Sequence, residues 1–427
     1  MSEWKEYFID EIVADYLDFR GKTPKKLGMN WGDGNIKALS ANNVEKGKIN
    51  FDKECYLASE ELYKVWMNKG DCKKGDVVIT MEAPLGNIAQ IPDDNKYILS
   101  QRTLLFKTEK ELVSNDFLFF VLSDKAFQDE LLKNSTGSTV VGIQQKKLAK
   151  LKIKLPSLST QRYISLILST ADAVIEKTQA AIAKYQSIKQ GMLNDLFTRG
   201  IDVTTGKLRP RYEDAPELYK ESKLGTIPRE WDDKEIGDIG EVRMCRRVFN
   251  YETNEQGEIP FYKIGTFGKE PDAYISKELY NSYRQNFSFP NKGDILISAA
   301  GTIGRTIIYD GTPSYFQDSN IVWIDNNGAL ISNEYLYQVF PIVKYKTEGG
   351  TIQRLYNSIL KSARFPCPSK TEQNIISERL KAIDNKLQSE QNYLHKLQQL
   401  KSGLMSDLLS GRKEVVVKEE KMQKENV

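Results

Sequence analysis

The chain has 427 residues, 40% of them apolar and 28% charged, with a net charge of +3. That length exceeds one ordinary domain, and the composition excludes a disordered or fibrous chain. So small a net charge leaves any nucleic-acid argument to the distribution of charge along the chain.

At the N-terminus, Met1-Ser2-Glu3-Trp4-Lys5-Glu6 lacks a basic patch followed by an apolar core. No apolar run approaches the roughly 20 residues of a membrane span, so a cytoplasmic protein is expected. Residues 1–156 read as a mixed, β-rich domain. Its β-rich runs, Asp76–Thr80 and Tyr97–Lys107, are bounded by Gly, Pro, Asn and Asp, with a helical stretch over Asn115–Leu132. The segment Gln144–Lys154 then carries Lys146, Lys147, Lys150, Lys152 and Lys154 and no acid.

After Leu155-Pro156-Ser157-Leu158-Ser159-Thr160-Gln161 the pattern changes abruptly, because proline followed by Ser/Thr is a helix-start signal. A long helix is predicted over 157–199. Ile167, Ala171, Val174, Thr178, Ala181, Tyr185, Ile188 and Met192 follow steps of four and three, a heptad seam flanked by Ile164, Leu168, Ile175 and Ile182. Residues 200–230, polar and bearing Pro210, Pro216 and Pro228, read as a linker. A second β-rich domain is expected over 231–368, with runs at Ile295–Ser298, Arg305–Tyr309 and Ile321–Ile324 and a helical stretch over Asn333–Tyr345. A second long helix over 369–411 carries Ile376, Leu380, Ile383, Leu387, Leu394 and Leu397, with Glu390 interrupting. The tail, 412–427, is Lys/Glu-rich and expected to be disordered.

The chain is written twice. Gly137–Gly200 lies on Gly349–Arg412 without a gap, pairing Leu148/Leu360, Pro156/Pro368, Gln161/Gln373, Asp172/Asp384, Lys189/Lys401 and Leu196/Leu408. Upstream the match loosens: Lys74-Gly75-Asp76 answers Lys292-Gly293-Asp294, and Trp4, Ile9 and Ile12 echo Trp231, Ile236 and Ile239. Each copy has a variable front and a constrained back. The expected fold class is α+β: two mixed, β-rich domains, each followed by a long helix. The helices are expected to pair as an antiparallel coiled coil about a pseudo-twofold internal repeat.

Catalytic chemistry is hard to find. Cys55, Cys72, Cys245 and Cys367 lie far apart, and with His395, the single histidine, they make no zinc spacing and no disulfide framework. Gly21-Lys22-Thr23 fails as a phosphate loop because Tyr16 stands where glycine is needed. Gly301-Thr302-Ile303-Gly304 reads as a tight turn. Basic residues fare better: Lys146, Lys147 and Lys150 in the first copy; Arg243, Arg246 and Arg247, then Lys344, Lys346, Arg354, Lys361 and Arg364 against Glu348, in the second. Basic stretches at corresponding places suggest a phosphate-facing surface. Gln101, Arg102, Lys263, Tyr283 and Gln317 are of the types that read base edges.

Two variable domains, each followed by a long helix, resemble the specificity subunits of type I restriction–modification systems. The Leu155–Gln161 lead-in, the helix end Gly191-Met192-Leu193-Asn194-Asp195-Leu196 and the re-entry Lys223-Leu224-Gly225-Thr226-Ile227-Pro228-Arg229-Glu230-Trp231 are similar to that family's motifs. Cys367-Pro368-Ser369-Lys370 departs from the apolar pair usual around this proline. The resemblance implies two target-recognition domains, each reading one half of a bipartite, asymmetric duplex DNA site. It implies paired helices that set the gap between the halves. It also implies a non-catalytic chain working with two modification (methyltransferase) subunits and with restriction (motor–nuclease) subunits. S-adenosylmethionine, ATP and magnesium would belong to those partners, with no cofactor or metal in this chain.

Overall fold

The computed structural model describes residues 4–343, 345 and 354–415. The expectations placed on Lys344, Lys346, Glu348 and the tail from 416 onward lie outside the described residues. The chain divides into two units, one of Met1–Ala180 with Asn392–Val427 and one of Ala181–Gln391. Each boundary falls inside a long helix, for the two helices run over Leu158–Thr198 and Lys370–Leu409.

The first unit is built on a four-stranded antiparallel sheet in the order Val13–Asp18, Thr103–Thr108, Val77–Met81, Leu85–Gln90. Side chains alternate across a strand, and here both faces are covered. Val77, Ile79, Leu104 and Phe106 enter a core shared with Ile164, Leu168 and Leu408 of the long helices. Val78 and Leu105 enter a second core on the other face, with Leu39, Trp66 and Leu99. That explains the unbroken apolar runs, since a sheet buried on both faces needs no polar alternation. A three-stranded sheet, Tyr56–Ala58, Ile36–Leu39, Tyr97–Leu99, builds the second core.

The second unit repeats this plan. Its four strands run Gly240–Met244, Ile321–Asn326, Ile295–Ser298, Thr306–Ile308, and its three run Tyr274–Ile275, Ile259–Tyr262, Tyr315–Phe316. Ile295, Ile297, Val322 and Ile324 face a core with Leu193, Leu196, Phe197, Ile376 and Leu380, while Leu296, Ile321 and Trp323 face the other side. Equivalent backbone bonds recur: Ile9 N donates to Leu151 O at 2.9 Å, and Ile236 N to Ala363 O at 2.9 Å.

Within each unit, the N-terminal part of one long helix lies beside the C-terminal part of the other, antiparallel as expected. Asp172 pairs with Lys401 in the first unit, and Lys189 with Asp384 at 2.5 Å in the second. These are the same pair in the two copies of the repeat. The heptad seam is corrected in detail: Ile164, Leu168, Thr178, Ile182, Leu193 and Leu196 are buried, whereas Ile188 is 39% exposed. An α-helix turns every 3.6 residues, so a line of strict heptads drifts off the buried face. Ile167, Ala171, Val174, Tyr185, Ile383, Leu394 and Leu397 are half-buried, and Leu387 is buried. Glu390 is taken up by Lys386 one turn away, at 2.7 Å.

The glutamine of the lead-in has a physical reason. Gln161 is fully buried; its amide nitrogen donates to Leu112 O and Pro156 O, both at 2.9 Å, and its oxygen accepts Ser114 N at 3.0 Å. Gln373 does the same with Leu330 O at 2.8 Å, Pro368 O at 3.0 Å and Ser332 N at 3.0 Å. Ser114 and Ser332 are in turn the N-caps of the helices Asn115–Ser123 and Asn333–Val339. One amide thus ties each domain to the first turn of its long helix. Gln161→Leu or Gln373→Leu strands three backbone groups, one buried and two part-buried, and is expected to destabilise its own unit by about 2–4 kcal/mol. Urea unfolding followed by unit-specific fluorescence checks this, and a shift under 1 kcal/mol would contradict it. Cys367 fits the strand end beneath Pro368, 9% exposed, and Lys370 turns outward to Gly328 O at 2.6 Å, so the departure from the motif is absorbed.

Residues 200–230, read as a linker, are ordered instead. They form two hairpins, Ile201–Asp202 with Lys207–Leu208 and Tyr219–Ser222 with Gly225–Pro228. Between the hairpins Arg209 is buried against Glu372, which is 1% exposed in the first turn of the second long helix. Glu372 accepts from Arg209 at 2.5 and 3.1 Å, from Trp231 Nε1 at 2.9 Å and from Ile201 N at 2.6 Å. A polar, proline-bearing composition hides this because the order comes from a buried ion pair and from apolar residues too far apart to make a pattern, Ile201 and Ile227, which join the core around Trp231.

Candidate nucleic-acid interface

The β-rich run Tyr97–Lys107 is two strands, Tyr97–Leu99 and Thr103–Thr108, with a break at Ser100–Arg102. Arg102 has φ 65°, a left-handed conformation that ends extended pairing. The break opens a cavity of 310 Å³ at the edge of the second core of the first unit. Gln101 and Arg102 line it with Ser40, Asn42, Lys53 and Asn87, and Arg102 stands 3.5 Å from Glu82. Ser40 and Asn43 brace the floor, with Ser40 N donating to Asn43 Oδ1 at 3.2 Å.

In the second unit the same break follows Tyr315–Phe316, with Ser319 at φ 61°. It opens a cavity of 320 Å³ lined by Arg247, Lys263, Gln317 and Arg354, together with Phe249, Asn250, Ser319 and Asn320. Beside each break an equivalent bond recurs: Ile143 N to Met81 O at 3.0 Å, and Leu355 N to Ala299 O at 2.8 Å. Gly142 stands before that bond in one copy, Arg354 in the other. The strand break is common to both, while the remaining walls come from different segments, Ala83, Pro84 and Asn87 in the first cavity and Arg247, Phe249 and Asn250 in the second.

The expected residues are therefore sorted. Gln101 and Arg102 come together in the first cavity, and Arg247, Lys263, Gln317 and Arg354 in the second. Arg247 and Lys263 are partly neutralised by Asp318 at 3.0 Å and Asp272 at 2.8 Å. Gln317 spends its oxygen on Ile264 N at 2.9 Å, which leaves its amide nitrogen to the cavity. Arg243 lies on the edge strand, paired with Asp325 at 3.4 Å, and does not line the cavity. Arg246 packs over Phe287 at 5.2 Å. Tyr283 belongs to the aromatic core and donates to Glu252 at 3.2 Å; burial raises its phenol, so it stays a neutral donor. Lys146, Lys147 and Lys150 are exposed on and after the short helix Gln145–Leu148, held down by buried Leu148 and Leu151. Lys361 and Arg364 are taken by Glu241 at 2.8 Å and Asp233 at 2.9 Å, so they stabilise the fold.

Sequence reasoning missed Ser40, Asn42, Asn87, Phe249, Asn250, Ser319 and Asn320. They are short polar or aromatic residues from several segments, and no local spacing joins them. They give the cavities neutral hydrogen-bonding groups and one aromatic ring. Burial pushes the thiols of Cys72 and Cys245 up to about 12, so neither is a nucleophile. Among the described residues no group of His, Cys, Asp and Glu could hold a metal ion, and no helix is long and apolar enough to cross a membrane.

The model of the type I restriction modification DNA specificity domain matches residues 1–184 and 228–399. A putative type I restriction enzyme specificity subunit of Haemophilus influenzae is 43% identical over 268 residues, covering 62% of this chain and 63% of that protein. The MjaVIII specificity subunit of Methanocaldococcus jannaschii is 24% identical, covering 94% of this chain and 91% of that one. In fold, the S subunit of a type I restriction–modification system from M. genitalium superposes with a TM-score of 0.58 at 15% identity, covering 97% of both chains.

Proposed function

This chain belongs to the type I restriction–modification DNA specificity family, and from that premise we propose that its two cavities read the two halves of a bipartite, asymmetric duplex target. It is a DNA specificity subunit with two recognition domains, and subunits of this family are generally non-catalytic. The observation that carries the reading is the repeated strand break with unlike linings. A strand break common to the two domains supports a reader at each, and unlike linings suit unlike half-sites, which favours a target without twofold symmetry.

Gln101, Arg102, Asn42 and Asn87 present donors and acceptors to base edges in one half; Gln317, Arg354, Asn320 and Lys263 do so in the other. Lys146, Lys147 and Lys150 hold phosphates and set register without choosing sequence. A type I system has been solved in work on complex assembly. In that light, two modification subunits dock here and methylate adenine, motor–nuclease subunits join to cut unmethylated DNA, and the assembly works in the cytoplasm. S-adenosylmethionine, ATP and magnesium serve those partners.

Long-read mapping of methylated adenine, in cells carrying this chain with its modification subunit, should return one split motif. Exchanging residues 231 to 366 for those of a relative should then change one half of that motif only. A change in both halves would contradict the two-reader arrangement, and no split motif at all would contradict the function.

A further inference from the structure

The tip of the second unit carries an aromatic pair that the fold does not need. Phe249 and Tyr251 stack face to face, ring centroids 5.6 Å apart and planes 5° from parallel. Tyr251 is 83% exposed and Phe249 44%. Large rings turned to water at a single spot mark an interaction site, since burying them is favourable wherever the fold allows it.

This tip is held rigidly. Phe249 N donates to Glu252 Oε2 at 2.8 Å across the single turn Asn250–Glu252, and Tyr283 donates to the other oxygen of Glu252 at 3.2 Å. Asn254 then bridges to Tyr274 in both directions, at 2.9 and 2.8 Å. The first unit shows what a structural stack looks like in the same connection. There Trp31 stacks on Tyr56 at 5.5 Å but also packs on the buried Trp66 at 5.3 Å. No such anchor lies beneath Tyr251: among the described aromatic contacts its ring meets only Phe249.

Location says what covers the pair. Phe249 lines the same cavity as Gln317 and Arg354, so Tyr251 projects from the rim of a basic, polar recess. A partner that satisfies both features offers flat apolar faces beside negative charge, which is the chemistry of a base stack flanked by phosphates.

We infer that Tyr251, backed by Phe249, is a wedge that stacks on a base face at a step of the half-site read by the second domain, partly unstacking that step. The inference rests on the DNA-reading function proposed above. It gives this domain a second source of selectivity, because steps differ in how easily they open.

The test uses the full complex with its modification subunits and a duplex bearing the mapped target, with 2-aminopurine placed in turn at each step of the half-site. Binding of the native complex should raise fluorescence at one step. Tyr251→Ala should abolish that rise and weaken target binding about five- to hundred-fold, with the salt dependence unchanged, and Tyr251→Phe should restore both. An unchanged fluorescence profile and affinity in Tyr251→Ala would overturn the wedge. So would loss of subunit assembly with the DNA signal intact, which would make the pair a protein contact. If the native complex does not prefer the mapped target to a random duplex, the DNA-reading function itself fails and the wedge falls with it.

Discussion

Glu372→Ala should destabilise the second unit by about 3–5 kcal/mol, because it leaves a buried guanidinium without its main counter-charge. Arg209 keeps the Arg199 carbonyl at 3.3 Å and, as counter-charge, Glu230 at 2.8 Å, whose side chain is 78% exposed. Trp231 Nε1 and Ile201 N lose their acceptor in the same step. Each of those groups is buried, so water does not replace the carboxylate without opening the packing around Trp231, which is fully buried. Glu372→Gln keeps the shape and one of the two acceptor oxygens, its amide nitrogen facing donors, and should fall between Glu372→Ala and the native chain. The measurement is chemical unfolding of the whole chain with probes in each unit. The second unit's transition should move to lower denaturant while the first unit's stays, for in the first copy the corresponding position is Thr160. Equal movement of both transitions would show that the network does not act where its contacts lie.

Replacing Lys146, Lys147 and Lys150 together with alanine should weaken binding to target and random duplexes alike. Each phosphate contact contributes about −0.9 to the slope of log affinity against log salt, so three contacts account for nearly 3 units. Between 50 and 200 mM salt the native complex should therefore lose about forty-fold more affinity than the variant. None of the three lysines is in an ion pair among the described residues, so their charges are available. Titration at several salt concentrations decides the matter. An unchanged slope, or lost discrimination with random binding intact, would remove these residues from the phosphates.

The duplication was legible because the helical backs kept identical residues in register, and Gln161 and Gln373 show why: each satisfies two backbone acceptors and one backbone donor, which takes an amide's mixed chemistry. The β-rich character was legible too, from apolar runs such as Ile321–Ile324. What stayed hidden were breaks set by single backbone angles. Arg102 at φ 65° looks like any residue in a strand-forming run, yet it makes the cavity. Gln101 and Gln317 were singled out from residue type alone, and both line a cavity. Asn42 and Asn87 were not, because they reach the cavity from strands and loops brought together only by the fold. The seam was right in kind but drifted from the buried face by Ile188.

The first unit is closed by residues 392–415, and Leu408 completes the core around Ile164 and Leu168. A ribosome makes Ile164 and Leu168 long before it makes Leu408. At about 5–20 residues per second, the interval is roughly twelve to fifty seconds. During that time the nascent first domain carries an uncovered apolar stripe while the whole second unit is being synthesised. The domain made first is thus the last to be finished, and its yield in the cell depends on what shields that stripe until the chain's second helix arrives.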